Sequence, residues 1–105
     1  MSNKSLGMIE TLGWASCVAV ADAMLKAADV RIVGFDEVGM ALFTVYVEGD
    51  VSAVRIAVEG GTAYARRAGT LVAFDVIPHP QTDMFIRQAK FAKSSNPKEE
   101  SRNGK

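Results

Sequence analysis

The sequence predicts an α+β fold in which a four-stranded antiparallel sheet carries two helices on one face. Four short runs rich in β-branched and aromatic residues are typical of strands. Two longer segments repeat their apolar residues every three or four positions, as amphipathic helices do. In chain order the segments follow as strand, helix, strand, strand, helix, strand. This order is typical of the split βαβ, or ferredoxin-like, arrangement.

Composition and charge limit the functions that the chain can serve. Its 105 residues match one domain, and a domain of this size buries a limited share of its surface, so association with further copies would bury more. The formal net charge is zero, which argues against nucleic acid or an anionic membrane surface as a partner. There is no recognisable signal peptide, and no apolar run approaches the roughly 20 residues of a membrane span. We therefore expect a cytoplasmic protein.

The first strand and the first helix come early in the chain. Residues 6–11 are the strand candidate, and residues 14–28 are predicted to form a helix. Asp22 and Lys26 lie four positions apart on the polar side of this helix, in the order that favours an ion pair. The predicted apolar face consists of Trp14, Cys17, Val18, Ala21, Met24, Leu25 and Ala28.

A β-hairpin follows, and the rest of the chain is arranged around it. Residues 30–35 and 42–47 are two apolar runs dominated by β-branched and aromatic side chains, which predicts two strands. Residues 36–41 are predicted to connect them. We expect the function to lie at the tip of this hairpin and to require several copies of the chain.

The second helix is predicted over residues 51–68. Asp50 suits its N-cap and Gly69 its C-terminal end. Two consecutive glycines inside the helix, Gly60 and Gly61, each cost roughly 1 kcal/mol relative to Ala, which indicates close approach to another element. The predicted inner face consists of Val54, Val58, Gly61, Ala65 and Ala68.

The last strand and the two termini complete the organisation. Residues 70–77 are predicted to form the fourth strand, which Pro78 ends because proline cannot continue the ladder. Residues 81–92 are predicted to form a short C-terminal helix, and residues 93–105 a disordered polar tail. Residues 1–5 are a polar leader.

The chain offers little for catalysis. Its one histidine, His79, lies between two prolines, and no other His or Cys is near it in sequence to build a metal cluster. Cys17, the single cysteine, is expected to be a small buried hydrophobe. No glycine-rich phosphate motif is present. Phe43 and Tyr46 lack the basic, aromatic context of an RNA-binding sheet and are expected simply to pack. We predict no catalytic residues, no metal and no cofactor.

Four segments together resemble the bacterial microcompartment shell proteins, specifically the single-domain, unpermuted, hexamer-forming type. They are residues 7–11 (GMIET), 21–30 (ADAMLKAADV), 47–54 (VEGDVSAV) and 76–80 (VIPHP). The resemblance covers about residues 6–80, in order and at the family's spacing. It implies a flat homohexamer, without enzymatic activity, that tiles with other shell proteins around a set of encapsulated enzymes.

The resemblance also assigns a pore. Hairpin tips from six copies would meet at the symmetry axis, which here brings Gly39, Met40 and Ala41 together. The family's tip usually has a small or polar residue between two glycines, so Met40 and Ala41 depart from the pattern. Six thioethers would make a narrow, apolar, restrictive passage for small metabolites. A ring of thioethers could also hold a soft metal ion, or Met40 could pack back against the sheet.

Two edge residues follow from the same resemblance. Lys26 matches the family's edge lysine, at the contact between neighbouring hexamers. His79 stands where the family usually has arginine, and a histidine is shorter and titrates near neutral pH. We expect weaker or pH-dependent sheet assembly, so sheets equally extensive at about pH 6 and pH 8.5 would count against pH control.

The sequence therefore predicts a structural shell protein of a bacterial microcompartment. Its domain would span residues 6–80. The altered tip leaves a pentameric minor shell component open. The alternative from another class is a ferredoxin-like oligomeric regulatory domain that binds a small molecule.

Overall fold

The computed structural model describes residues 4–78 and confirms the predicted fold class. The sheet has the strand order β2-β3-β1-β4, and every neighbouring pair of strands is antiparallel. The elements are β1 (Ser5–Leu12), α1 (Trp14–Ala27), β2 (Arg31–Gly39), β3 (Leu42–Gly49), α2 (Val51–Ala68) and β4 (Leu71–Ile77). The predicted C-terminal helix and tail, and His79, lie outside the described residues.

The two helices pack side by side on one face of the sheet. Gly7 and Ile9 of β1 face α2: a Cβ added at Gly7 would lie 2.7 Å from Val58. Gly61 fulfils the expected close approach, because a Cβ there would lie 2.7 Å from Ile9 and 2.8 Å from Met24. The glycines of α2 thus bring the helices and the sheet together. The buried core consists of Ile9, Cys17, Val20, Ala21, Met24, Val45, Val47, Val54, Ala57, Val58 and Ala65.

The apolar faces predicted for the helices are partly wrong. Val18 and Leu25 of α1 are exposed, whereas Val20, absent from the predicted face, is fully buried. The covered stripe runs through Cys17, Val20, Ala21 and Met24, the i, i+3, i+4, i+7 pattern of one helix face. The other apolar residues form a second stripe that one chain leaves uncovered. In α2, Ala68 is exposed because it is the last helical residue.

The hairpin connection is shorter than predicted. The acidic residues Asp36 and Glu37 suggested a loop, but they belong to β2 and pair with Thr44 and Phe43. An edge strand tolerates such charges because one side of it meets solvent. Only Met40 and Ala41 remain between the strands.

Candidate functional site

The hairpin tip, defined as Gly39, Met40 and Ala41, is a two-residue turn with a left-handed backbone. Gly39 has a φ of 96°, Met40 of 54° and Ala41 of 67°. Positive φ at both connecting residues is the hallmark of the type I′ turn, which normally selects Asn and Gly. Met40 is 92% exposed, so it does not pack back against the sheet. The tip thus keeps a glycine-type conformation while presenting a thioether to its surroundings.

A backbone hydrogen bond ties the tip to the corner between β1 and α1. The Gly13 amide donates to the Ala41 carbonyl at 2.6 Å. The Gly13 carbonyl in turn accepts the Cys17 amide at 3.2 Å, the first hydrogen bond of α1. Leu12 pairs with Leu42 across β1 and β3, immediately beyond the tip. The tip is therefore anchored to the start of α1.

Three aromatic rings, which we call the aromatic brace, join α1 to both arms of the hairpin. Trp14 is the first residue of α1, and its ring lies 5.2 Å from Phe35 on β2 and 5.3 Å from Phe43 on β3. The interplanar angles of 67° and 61° are edge-to-face arrangements. Sequence reasoning expected Trp14 in the helix core and missed this role, because the brace depends on where β2 and β3 pass the helix.

Two carboxylates lie on the sheet close to the hairpin tip. Asp36 on β2 and Glu10 on β1 flank Thr44 in one row across the sheet. The pKa of Tyr46 is raised to about 12. Burial is the largest cause, followed by the negative charge of Asp36, the hydrogen bond between Tyr46 and Asp36, and the charge of Glu10. The tyrosine therefore stays protonated and holds Asp36 in place.

Lys26 lies at the opposite end of α1 from the tip. It comes twelve residues after Trp14, which is about 18 Å along a helix axis. Its Nζ is 2.7 Å from Oδ2 of Asp22, and both side chains are largely exposed. The hydrogen bond that Lys26 donates to Asp22, and then the negative charge of that carboxylate, raise the pKa of Lys26. The expected ion pair is confirmed, and Lys26 carries a positive charge at neutral pH.

Sequence reasoning missed a cluster of charged side chains at the Lys26 end of the molecule. Arg31 of β2 bonds to Glu48 of β3, and Lys4 lies 3.7 Å from the same carboxylate. The Glu48 side chain is only 9% exposed, so the two cations compensate a nearly buried charge. A cavity of about 250 Å³ lies beside it, next to Asp29 and Asp50. The β2–β3 register, which places Arg31 opposite Glu48, is the signal that would have predicted this cluster.

A larger groove of about 580 Å³ runs between α2 and β4. The Arg66 guanidinium lies 5.8 Å from the centre of the Phe74 ring, within the range of a cation–π contact. Thr62 lines the groove, and its buried hydroxyl has no hydrogen-bond partner in the part of the chain that the structure describes. Arg66 therefore covers an aromatic ring.

Residues 4–78 contain no group of three or more His, Cys, Asp or Glu side chains placed to hold a metal ion. Cys17 is fully buried, and burial raises the pKa of its thiol. Neither described helix is long and apolar enough to cross a membrane. Of the two residues expected at the edge between hexamers, Lys26 lies in the part of the chain that the structure describes and His79 lies outside it.

Comparison with known proteins gives a consistent result. The BMC-domain family model matches residues 5–80. The microcompartment shell protein PduA of Salmonella typhimurium is 46% identical over 84 residues, covering 80% of this chain and 89% of the relative. The shell protein EutM of Escherichia coli K12 is 46% identical over 81 residues, covering 77% of this chain and 84% of the relative.

Two further relatives are longer than this chain. The carboxysome assembly protein CcmO of Synechococcus elongatus is 45% identical over 81 residues, which cover 77% of this chain and 29% of that protein. A crystal structure of a microcompartment protein from Desulfitobacterium hafniense DCB superposes with a TM-score of 0.68 at 34% identity. It covers 76% of this chain, and this chain spans 44% of its length.

Proposed function

The chain belongs to the BMC-domain family of bacterial microcompartment shell proteins, and we propose that it is a hexameric shell tile with a restrictive central pore. Family membership places it in the shell of a bacterial microcompartment, a cytoplasmic assembly built from self-associating shell proteins. The hexamer, the pore and the passage of metabolites are the parts that we propose. The domain itself would span residues 6–80, with a short helix over residues 81–92 and a polar tail over residues 93–105.

The exposed tip is the observation that carries the proposal. Met40 is an apolar residue left 92% exposed on a turn that a backbone hydrogen bond ties to Gly13, at the end of α1 opposite Lys26. Such exposure in one chain is accounted for if the tips of six copies meet at an axis. Lys26, about 18 Å from Trp14 along the axis of α1, would then lie at the rim of the disc.

The chemistry of the tip favours a restrictive pore. A glycine tip would offer backbone amides to polar solutes, whereas here Met40 and Ala41 carry side chains on the left-handed backbone. Six flexible thioethers would form an adaptable apolar constriction, and such a constriction resists the passage of water and ions. We propose that small, weakly polar metabolites pass more readily than charged ones.

Edge contacts between hexamers complete the proposal. Lys26 would donate to backbone carbonyls of a neighbouring disc, and to do so it has to leave Asp22, an exposed and therefore weak partner. His79 would contribute to the same contact. The partners are further copies, other shell proteins and the enclosed enzymes. We propose no enzymatic activity, in keeping with relatives that are named as shell proteins.

A test of passage uses shells that enclose a reporter enzyme with a charged substrate. Met40→Ser replaces the thioether ring by hydroxyls, and we expect faster substrate turnover by the enclosed enzyme because the constriction becomes wider and wetter. Met40→Leu keeps an apolar side chain of similar size and is the matched control, with wild-type turnover expected. Equal turnover in intact shells of both variants would contradict a pore lined by Met40.

A further inference from the structure

The tip sits on two strand arms that one helix residue touches at once. Trp14 contacts Phe35 on β2, four residues before Gly39, and Phe43 on β3, two residues after Ala41. A single ring thus contacts the hairpin on both arms. The Gly13 amide, next to Trp14 in the chain, binds the Ala41 carbonyl at 2.6 Å. The side-chain contacts and the backbone contact come from the same corner of the fold.

Trp14 contributes little to the core that holds the domain together. Its side chain is 49% exposed, and it is not a member of the buried core cluster. Phe35 is also substantially exposed, and β2 is an edge strand with a neighbour on one side only. β3 is held by its pairing with β1, but β2 pairs with β3 alone, in a register that shifts twice, so the β2 arm can bend unless something fixes its angle to the helices. The aromatic brace joins this arm to α1 through Phe35 and therefore opposes the bending.

We infer that Trp14 is a positioning residue for the tip: through Phe35 and Phe43 it fixes the angle of the β2 arm to α1 and β3, and thereby the place of Met40. The first turn of α1 serves as the rigid base, because α1 packs on α2 and the sheet through its buried stripe. That this angle sets the width of a pore rests on the function proposed above. The positioning itself is a property of one chain and does not depend on the ring.

Hydrogen exchange measured by mass spectrometry on the full-length protein tests the positioning directly. Trp14→Ala removes both ring contacts, Trp14→Phe keeps an aromatic ring at the site, and Val18→Ala truncates another exposed apolar residue of α1 that makes no ring contact. All four proteins are compared in the same oligomeric state, checked by native mass spectrometry. A peptide over residues 54–65 of α2 reports on the core.

We expect Trp14→Ala to speed exchange in the peptide over residues 36–43 by about tenfold while the core peptide stays unchanged. Trp14→Phe should restore part of the protection, and Val18→Ala should match the wild type. Unchanged exchange over residues 36–43 in Trp14→Ala would overturn the inference. An equal rise in the core peptide would also overturn it, since the effect would then be general destabilisation. If Trp14→Ala does not fold, Trp14→Phe serves as the test variant. Exchange over residues 36–43 that is faster than in the wild type, with an unchanged core peptide, would support the inference. Wild-type exchange over residues 36–43 would overturn it.

The same variants separate this inference from the pore. Faster exchange at the hairpin together with altered passage in shells supports both claims. Faster exchange with unaltered passage supports the positioning role of Trp14 and contradicts the pore.

Discussion

Two adjacent glycines in α2 allow a matched test of how closely the helices and the sheet pack. Gly60 and Gly61 both lie in the interior of α2, so replacing either by alanine brings the same gain in helix propensity, about 1 kcal/mol. Their surroundings differ. A Cβ at Gly61 would lie 2.7 Å from Ile9 Cδ1, 2.8 Å from Met24 Cγ and 3.2 Å from Val20 Cγ1.

The three neighbours of Gly61 have nowhere to move, because all are fully buried. Overpacking of such a site costs about 1–3 kcal/mol, so Gly61→Ala should lose about 1 kcal/mol net. A Cβ at Gly60 would meet only Ala27 Cβ, at 3.1 Å, on an exposed residue at the end of α1. A small shift there relieves the contact, so Gly60→Ala should gain up to about 1 kcal/mol.

The assay is urea unfolding followed by circular dichroism, with all proteins at one concentration because self-association couples to stability. The expected separation between the two variants is about 2 kcal/mol at equal slopes. A Gly61→Ala protein as stable as Gly60→Ala would refute the claim that Gly61 exists to bring α2 against α1 and β1.

Three further predictions concern the tip, the sheet and the edge. Ala41→Gly should raise the free energy of unfolding by about 0.5 kcal/mol, because removing the strain of a left-handed alanine (φ 67°) gains more than the added entropy of the unfolded chain costs. Ala63→Gly in α2 is the control and should lower the stability in the same thermal melt. The pKa of Tyr46 rises from 10.0 to about 12 on folding, so between these pH values the folded state keeps a proton that the unfolded chain releases. The free energy of unfolding should therefore be unaffected by this group below about pH 10 and should fall as the pH rises toward 12. Tyr46→Phe should remove that part of the fall in urea titrations, Tyr64→Phe should not, and an identical pH profile for both would contradict the assignment. Lys26→Ala should still form rings but no extended sheets in negative-stain images. Asp22→Ala, which removes only the ion-pair partner of Lys26, should still form sheets. Sheets in both variants would contradict a role of Lys26 in the edge contact.

The sequence was sufficient for the order of elements and most of their boundaries. Local patterns decided these features: the β-branched runs of β2 and β3, and the glycine with a φ of 74° that ends α2. The hairpin connection was predicted too long because the acidic residues Asp36 and Glu37 were assigned to it. They belong to β2, which lies at the sheet edge and can therefore carry charged side chains, and the sequence does not show that position. Edge or centre is a property of the whole topology.

Some of the candidate functional residues could likewise be predicted from the sequence, and others could not. Lys26 and the tip were placed by a family resemblance, and the structure then added the exposure of Met40 and the ion pair with Asp22. The aromatic brace and the Arg31–Glu48 pair join residues far apart in the chain. They follow only when strand register and helix position are known. Val18 and Leu25 show the converse case: both fit an apolar helix pattern, but the interior of one chain covers only one of the two stripes.

In the proposed assembly, the hairpin tips of six copies meet at one axis. Native mass spectrometry of the full-length protein, with negative-stain microscopy of the same sample, tests it most directly. We predict a mass of six chains and discs with six-fold symmetry whose edges tile into sheets. A five-chain ring would contradict the hexamer and assign the chain to a minor shell position. A monomer or dimer at high concentration would contradict the pore altogether and favour a ligand-binding regulatory domain.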